Sequence, residues 1–172
     1  MKFLVINPIP VKKRMIELLF DYFFILAYLI LLALGSFVYY LIFQNGMQQP
    51  TEFESQSITF FTFVLPITLI FTYLDYIKNG SFGKKKAELQ LVYEKKTVQA
   101  SLIRNAIKFL PWQIGHMSTI HSVYGGFDLL YFILCYTSIL FLVVLLAMSI
   151  FRKDKRHLGD LLAHTQLQLK GE

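Results

Sequence analysis

The sequence predicts an all-α membrane protein: a small bundle of four transmembrane or membrane-embedded helices, with a short strand or hairpin and an amphipathic C-terminal segment at one end. Three observations predict it. Hydrophobic residues make up 55% of the 172 residues at a mean hydropathy of +0.51, and only 16% are charged. A soluble domain carries about 25% charged residues, and one this short leaves too much surface exposed to hide so much apolar area. The apolar residues are gathered into long runs, and the 17 Lys and Arg residues lie outside the strongest of them in a few clusters. No break in composition divides the chain, so residues 1–172 read as one domain.

Residues 15–43 form an apolar run of 29 residues interrupted only by Glu17 and Asp21. As a helix it reaches about 43 Å, enough to span a bilayer with tilt. Lys12, Lys13 and Arg14 ahead of it and Ala33-Leu34-Gly35 inside it imitate a signal peptide. The run continues well past that point and holds an acidic residue, which argues against cleavage. Residues 58–77 are a second span, and Pro66 near its middle predicts a kink where neighbours satisfy the freed carbonyl. Residues 102–120 are a weaker segment, with Arg104 and Lys108 early and Pro111 in the middle. Residues 127–151, rich in Leu, Ile and Val, are the last span.

Charge decides the path. The basic residues occupy the N-terminus to Arg14, residues 78–108, residues 152–156 and Lys170; none lies in 15–77 or 109–151. If each cluster is cytoplasmic, every gap must leave and return. The second gap then holds two crossings or a re-entrant hairpin, turning near residues 122–126. Both termini are cytoplasmic on this reading, and Arg104 and Lys108 snorkel to the interface. In the loop that follows the second span, Leu89, Leu91 and Tyr93 alternate with Glu88, Gln90 and Glu94, which predicts a short strand or hairpin.

Ionisable residues within a span are functional candidates by default. Arg14, Glu17 and Asp21 fall within about 60° of one another around a helix. Thr68, Thr72 and Asp75 share a face of the second span, although Asp75 is near enough to its end for water to reach it. Asp21 is deeper and too short to snorkel. Gly80-Ser81-Phe82-Gly83-Lys84 has the look of a phosphate loop but lacks its spacer and preceding strand. It reads as a helix-exit turn, and Lys84, Lys85 and Lys86 as contacts to anionic headgroups. The single cysteine, Cys135, reads as a buried thiol. His116, His121, His157 and His164 have no ligand spacing, so no metal or cofactor is expected.

Several stretches together resemble the RDD family of bacterial membrane proteins. KRMIELLFDYFFI matches the family's first arginine and aspartate at Arg14 and Asp21. NGSFGKKKAELQLV resembles its Gly-x-Thr-x-Gly-Lys loop with Ser81 for Thr, and SLIRNAIKFLP its third-helix start, placing Arg104 and Pro111. RHLGDLLAHTQLQL resembles its ending and puts the second aspartate at Asp160, with Gly159 where His is usual and His164 where Gly is usual. The resemblance implies a constellation of Arg14, Asp21, Arg104, Arg156 and Asp160 at the cytoplasmic side, on a bacterial inner-membrane bundle. It also implies either ion transport, sodium–proton exchange included, or an accessory role.

Two functions are therefore expected of the chain. One is cation–proton exchange, with Asp21 as the site and Arg14 as its electrostatic partner; the near-neutral pKa this needs is supplied by desolvation and opposed by the arginine. The other is a non-catalytic assembly, regulatory or immunity partner whose charges are structural. A homo-oligomer or a membrane protein partner is expected in either case, and no nucleic acid. With no nucleophile and base pair apparent, an enzyme is not expected.

Overall fold

The computed structural model describes residues 3–4, 6–43 and 49–171. It is mostly helical, at 74%. Helix α1, Val11–Ile42, carries the first apolar run. The second run is longer than the sequence suggests, because α2, Glu52–Thr59, a π-helical turn, Phe60–Val64, and α3, Leu65–Lys78, follow one another without a break. The start is set by a capping box in which Thr51 and Glu54 satisfy each other's backbone N–H groups. Glu52 and Glu54, which precede the apolar run of residues 58–77, occupy the first turn, where negative charge suits the helix dipole.

The bend predicted at Pro66 is resolved as the π turn before it. Proline at position 66 cannot donate to the carbonyl of Thr62, and the Tyr28 hydroxyl of α1 donates to that oxygen at 2.6 Å. The freed acceptor thus adds a hydrogen bond between α1 and the second run.

After α3 ends at left-handed Asn79 (φ 50°), Ser81 caps a short helix, α4, Phe82–Lys86. Strand β1 is Leu89–Tyr93. Helix α5, Val98–Gly125, is capped by Thr97 and passes through Pro111 intact. Helix α6, Leu129–Phe151, is capped by Asp128. The amphipathic C-terminal segment divides into α7, Leu158–Leu162, and strand β2, Thr165–Leu169. β2 is the antiparallel partner of β1, with Leu89 opposite Leu169 and Leu91 opposite Leu167. The hairpin is therefore a long-range pair, and the bundle is not purely helical.

Two cores result. Ile25, Phe63, Val64, Ile67, Phe71 and Phe109 join α1, the second run and α5. Ile9, Ala87, Leu89, Leu91 and Leu167 form a second core beneath the sheet. The N-terminal segment closes this cap, since the Gln166 side chain pairs with both backbone groups of Leu4 and Asn7 N–H donates to the Lys153 carbonyl.

Among the described residues, three segments are long and apolar enough to cross a membrane: Val11–Ile42, Glu52–Lys78 and Leu129–Phe151. Only 6% of the apolar window is buried in the first and last, against 39% in the middle one. Outer faces this apolar need lipid as their solvent. Helix α5 is long enough but less apolar, because it carries Arg104, Asn105, Lys108, Gln113 and His116.

Candidate functional site

The cap and the helix ends meet in a buried network of alternating charge. Arg14 donates to Glu17 at 3.2 Å; Glu17 lies 4.0 Å from Lys84; Lys84 donates to Asp75 at 2.7 Å. Asp75 accepts from Arg104 at 2.9 Å, and Arg104 donates through Nε to Asp160 at 2.6 Å. Six charges thus run positive, negative, positive, negative, positive, negative through α1, α4, α3, α5 and α7. Beside them Lys108 of α5 donates to Asp21 of α1 at 3.0 Å. None of the six is more than 5% exposed, nor is Asp21.

The local sequence explains each placement. The i, i+3 spacing of Arg14 and Glu17 lets the two meet on one helix face. Gly83 has no side chain because α4 lies hard against α1: a Cβ there would be 2.1 Å from the Glu17 carbonyl oxygen. Its N–H donates to Asp21 Oδ1 at 3.0 Å, and the next residue, Lys84, reaches Asp75. Asn105 also supports Asp75, donating at 3.1 Å to Oδ2, the oxygen that Arg104 uses.

Asp160 is held on every side. Oδ1 accepts from Arg104 and from Thr165 Oγ1 at 2.9 Å; Oδ2 accepts from the His157 backbone N–H at 3.3 Å. His157 Nδ1 accepts from Gly159 N–H at 3.0 Å, so its proton sits on Nε2, 3.2 Å from Asp160 Oδ2. That contact is a hydrogen bond from a neutral imidazole. Burial pushes the His157 pKa down to about 3, against the pull of Asp160. Burial disfavours the Asp160 charge, but Arg104, His157 and Arg14 hold its carboxyl below the usual range. Burial likewise lowers the Lys84 ammonium from its ordinary value, with Asp75 opposing.

The structure brings together Arg14, Glu17, Asp21, Asp75, Arg104 and Asp160, but several expectations change. Arg14 is not the partner of Asp21: it takes Glu17 and donates to the Lys155 carbonyl at 2.7 Å, while Lys108 serves Asp21. Asp75 is not solvated but 0% exposed. Arg104 does not snorkel, at 1% exposed. Lys84 is not a headgroup contact, because at 0% exposed it lies inside the network; Lys85 and Lys86 are exposed. Among the described residues the Arg156 guanidinium pairs with no carboxylate and instead donates to the backbone carbonyls of Thr165 and Asp160, while its backbone N–H donates to Asp154 Oδ1. Lys84, Lys108, His157 and Gly83 are the site residues that the sequence reading missed.

A cavity of about 300 Å³ opens beside the network between α1, α5 and α6, bordered by Arg14, Asp21 and Lys108 at its polar end and by apolar side chains beyond. Among the described residues no group of three or more His, Cys, Asp or Glu could hold a metal ion. No curated protein and no solved structure matches the chain. The model of one family, the RDD family, matches residues 9–164.

Proposed function

The chain belongs to the RDD family, and on that premise we propose that it is a multi-pass protein of the bacterial inner membrane whose buried charges latch its helices together in an accessory role. One observation carries this reading. Four cations, Arg14, Lys84, Arg104 and Lys108, face four anions, Glu17, Asp21, Asp75 and Asp160, each within 4.0 Å of an opposite charge. Their sum is zero. A relay or carrier site needs a carboxylate whose charge is compensated by its cargo, and here fixed cations already do it.

In this reading α1, the second run, α5 and α6 all cross, and the basic residues of the cap and both termini lie in the cytoplasm. Lys85 and Lys86 meet anionic headgroups. The bare apolar faces of α1 and α6 favour assembly with a second copy or another membrane protein.

Cation–proton exchange at Asp21 is the second reading, favoured by the one fact that Asp21 and Arg14 both border the cavity. Flux separates the two. Purified protein in liposomes with an imposed pH gradient should show no sodium-dependent dissipation above empty liposomes, and Asp21→Asn should lower stability. Sodium-dependent dissipation that Asp21→Asn abolishes in a well-folded protein would establish exchange and sink the latch reading.

A further inference from the structure

We infer that the cavity between α1, α5 and α6 is a binding site for an anionic phospholipid, with its phosphodiester at Arg14 and Lys108 and one acyl chain along the apolar wall. Arg14 supplies the first argument. It is 5% exposed, its two terminal nitrogens are used by Glu17 and the Lys155 carbonyl, and its buried Nε–H has no partner among the described residues. A buried donor left unpaired is costly, and an anionic oxygen relieves that cost by a charge-assisted hydrogen bond.

Charge supplies the second. Arg14 and Lys108 stand at the polar end of the cavity, while Arg104 behind them is already matched by Asp75 and Asp160. Lys108 donates to Asp21, and its ammonium has further donors. An incoming phosphodiester, whose free oxygens only accept, takes those remaining donors by charge-assisted hydrogen bonds.

Shape supplies the third. Beyond the charged end the wall is apolar, formed by Ile25, Trp112, Leu142 and Leu145. A free phosphate ion has no use for such a wall, whereas an acyl chain buries area against it. Two of the three helices around the cavity, α1 and α6, present mostly bare apolar surface, so a lipid can enter sideways from the bilayer. At about 300 Å³ the cavity is at the small end of ligand sites. It takes the headgroup region and part of one chain, and the second chain lies against the outer faces of α1 and α6.

Trp112 is the chain's single tryptophan and lines the cavity. Titrating the detergent-purified protein with phosphatidylglycerol brominated on its acyl chains should quench Trp112 emission at a concentration about tenfold lower than the same-chain phosphatidylcholine requires. Arg14→Gln should erase that preference. Ser149→Phe, which fills cavity space without touching the charge network, should weaken quenching by both lipids. Lys85→Gln with Lys86→Gln should change neither. Equal quenching by the two lipids, an unaltered response in Ser149→Phe, loss only in the Lys85 and Lys86 variant, or displacement by inorganic phosphate would each overturn the site. Should Arg14→Gln fail to keep its near-ultraviolet dichroism, the lipid comparison and Ser149→Phe still decide.

Discussion

Gly83 and His157 show how single residues set the site. At Gly83 helix propensity favours alanine by about 1 kcal/mol, but the added Cβ would meet the Glu17 carbonyl at 2.1 Å and Asp21 Oδ1 at 2.7 Å. The backbone cannot yield as a flexible side chain can, so we expect Gly83→Ala to cost at least about 3 kcal/mol, read by thermal unfolding in detergent. An unchanged midpoint would mean that α4 does not seat on α1 as described. His157 gives a pH test. Its folded pKa of about 3 lies below the ordinary 6.5, so below pH 6.5 the unfolded chain binds a proton that the folded one does not. Stability therefore falls as pH drops through that window, by about 2 kcal/mol between pH 7 and pH 5. His157→Asn, which keeps an acceptor for Gly159 N–H but does not titrate, should flatten that slope; an equally steep slope would assign it to other groups. Of these residues the sequence reveals the ones whose type is costly in a membrane, Arg14, Glu17, Asp21 and Asp75. It does not reveal who pairs with whom, because Glu17 at i+3 outcompetes Asp21 for Arg14 only once side chains take rotamers in three dimensions. Gly83 and Lys84 look like part of a basic loop for a similar reason: Gly83 meets Asp21 62 positions away, and Lys84 meets Asp75 only across the turn from α3 to α4. The two departures from the family ending do have local readings. A side chain at Gly159 would meet the Arg104 carbonyl at 2.8 Å, and His164 holds a left-handed φ of 49°, the conformation that glycine adopts most easily.

Among the elements, the second run turns most on one contact. Pro66 leaves the Thr62 carbonyl without its helical donor, and the π turn presents that oxygen to Tyr28. Tyr28→Phe keeps the ring and removes the donor, so it should cost about 1 kcal/mol without altering helix content by far-ultraviolet dichroism. No loss would mean that another donor replaces it. Apolar run length made α1, α3 and α6 legible, and charge distribution pointed to the fourth helix. Helix α5 was weak in the sequence because its polar side chains, Arg104, Asn105 and Lys108, serve the interior. The alternation of Leu89, Leu91 and Tyr93 made β1 legible. Its partner was not, since the two strands are separated by α5, α6 and α7 and the leucines of β2 continue a helical-looking pattern from α7.

For the whole molecule, both described ends of the chain are woven into the same cap, and the charge chain fixes that cap to the helix ends. The proposed path can be read by labelling. In a Cys135→Ser background, Val123→Cys at the far end of α5, 77% exposed, should react with an impermeant maleimide in spheroplasts, and Lys85→Cys should not. Both reacting, or neither, would remove the fourth crossing. The latch itself is tested most directly at its Arg104–Asp160 link, which joins α5 to α7 at 2.6 Å. Removing one partner of a buried pair costs about 3–5 kcal/mol. A double-mutant cycle of unfolding free energies with Arg104→Met and Asp160→Asn should return a coupling of at least about 2 kcal/mol, with the double variant far less damaged than the sum of the singles. Additive losses, with a coupling below about 0.5 kcal/mol, would contradict a network that works as a structural latch.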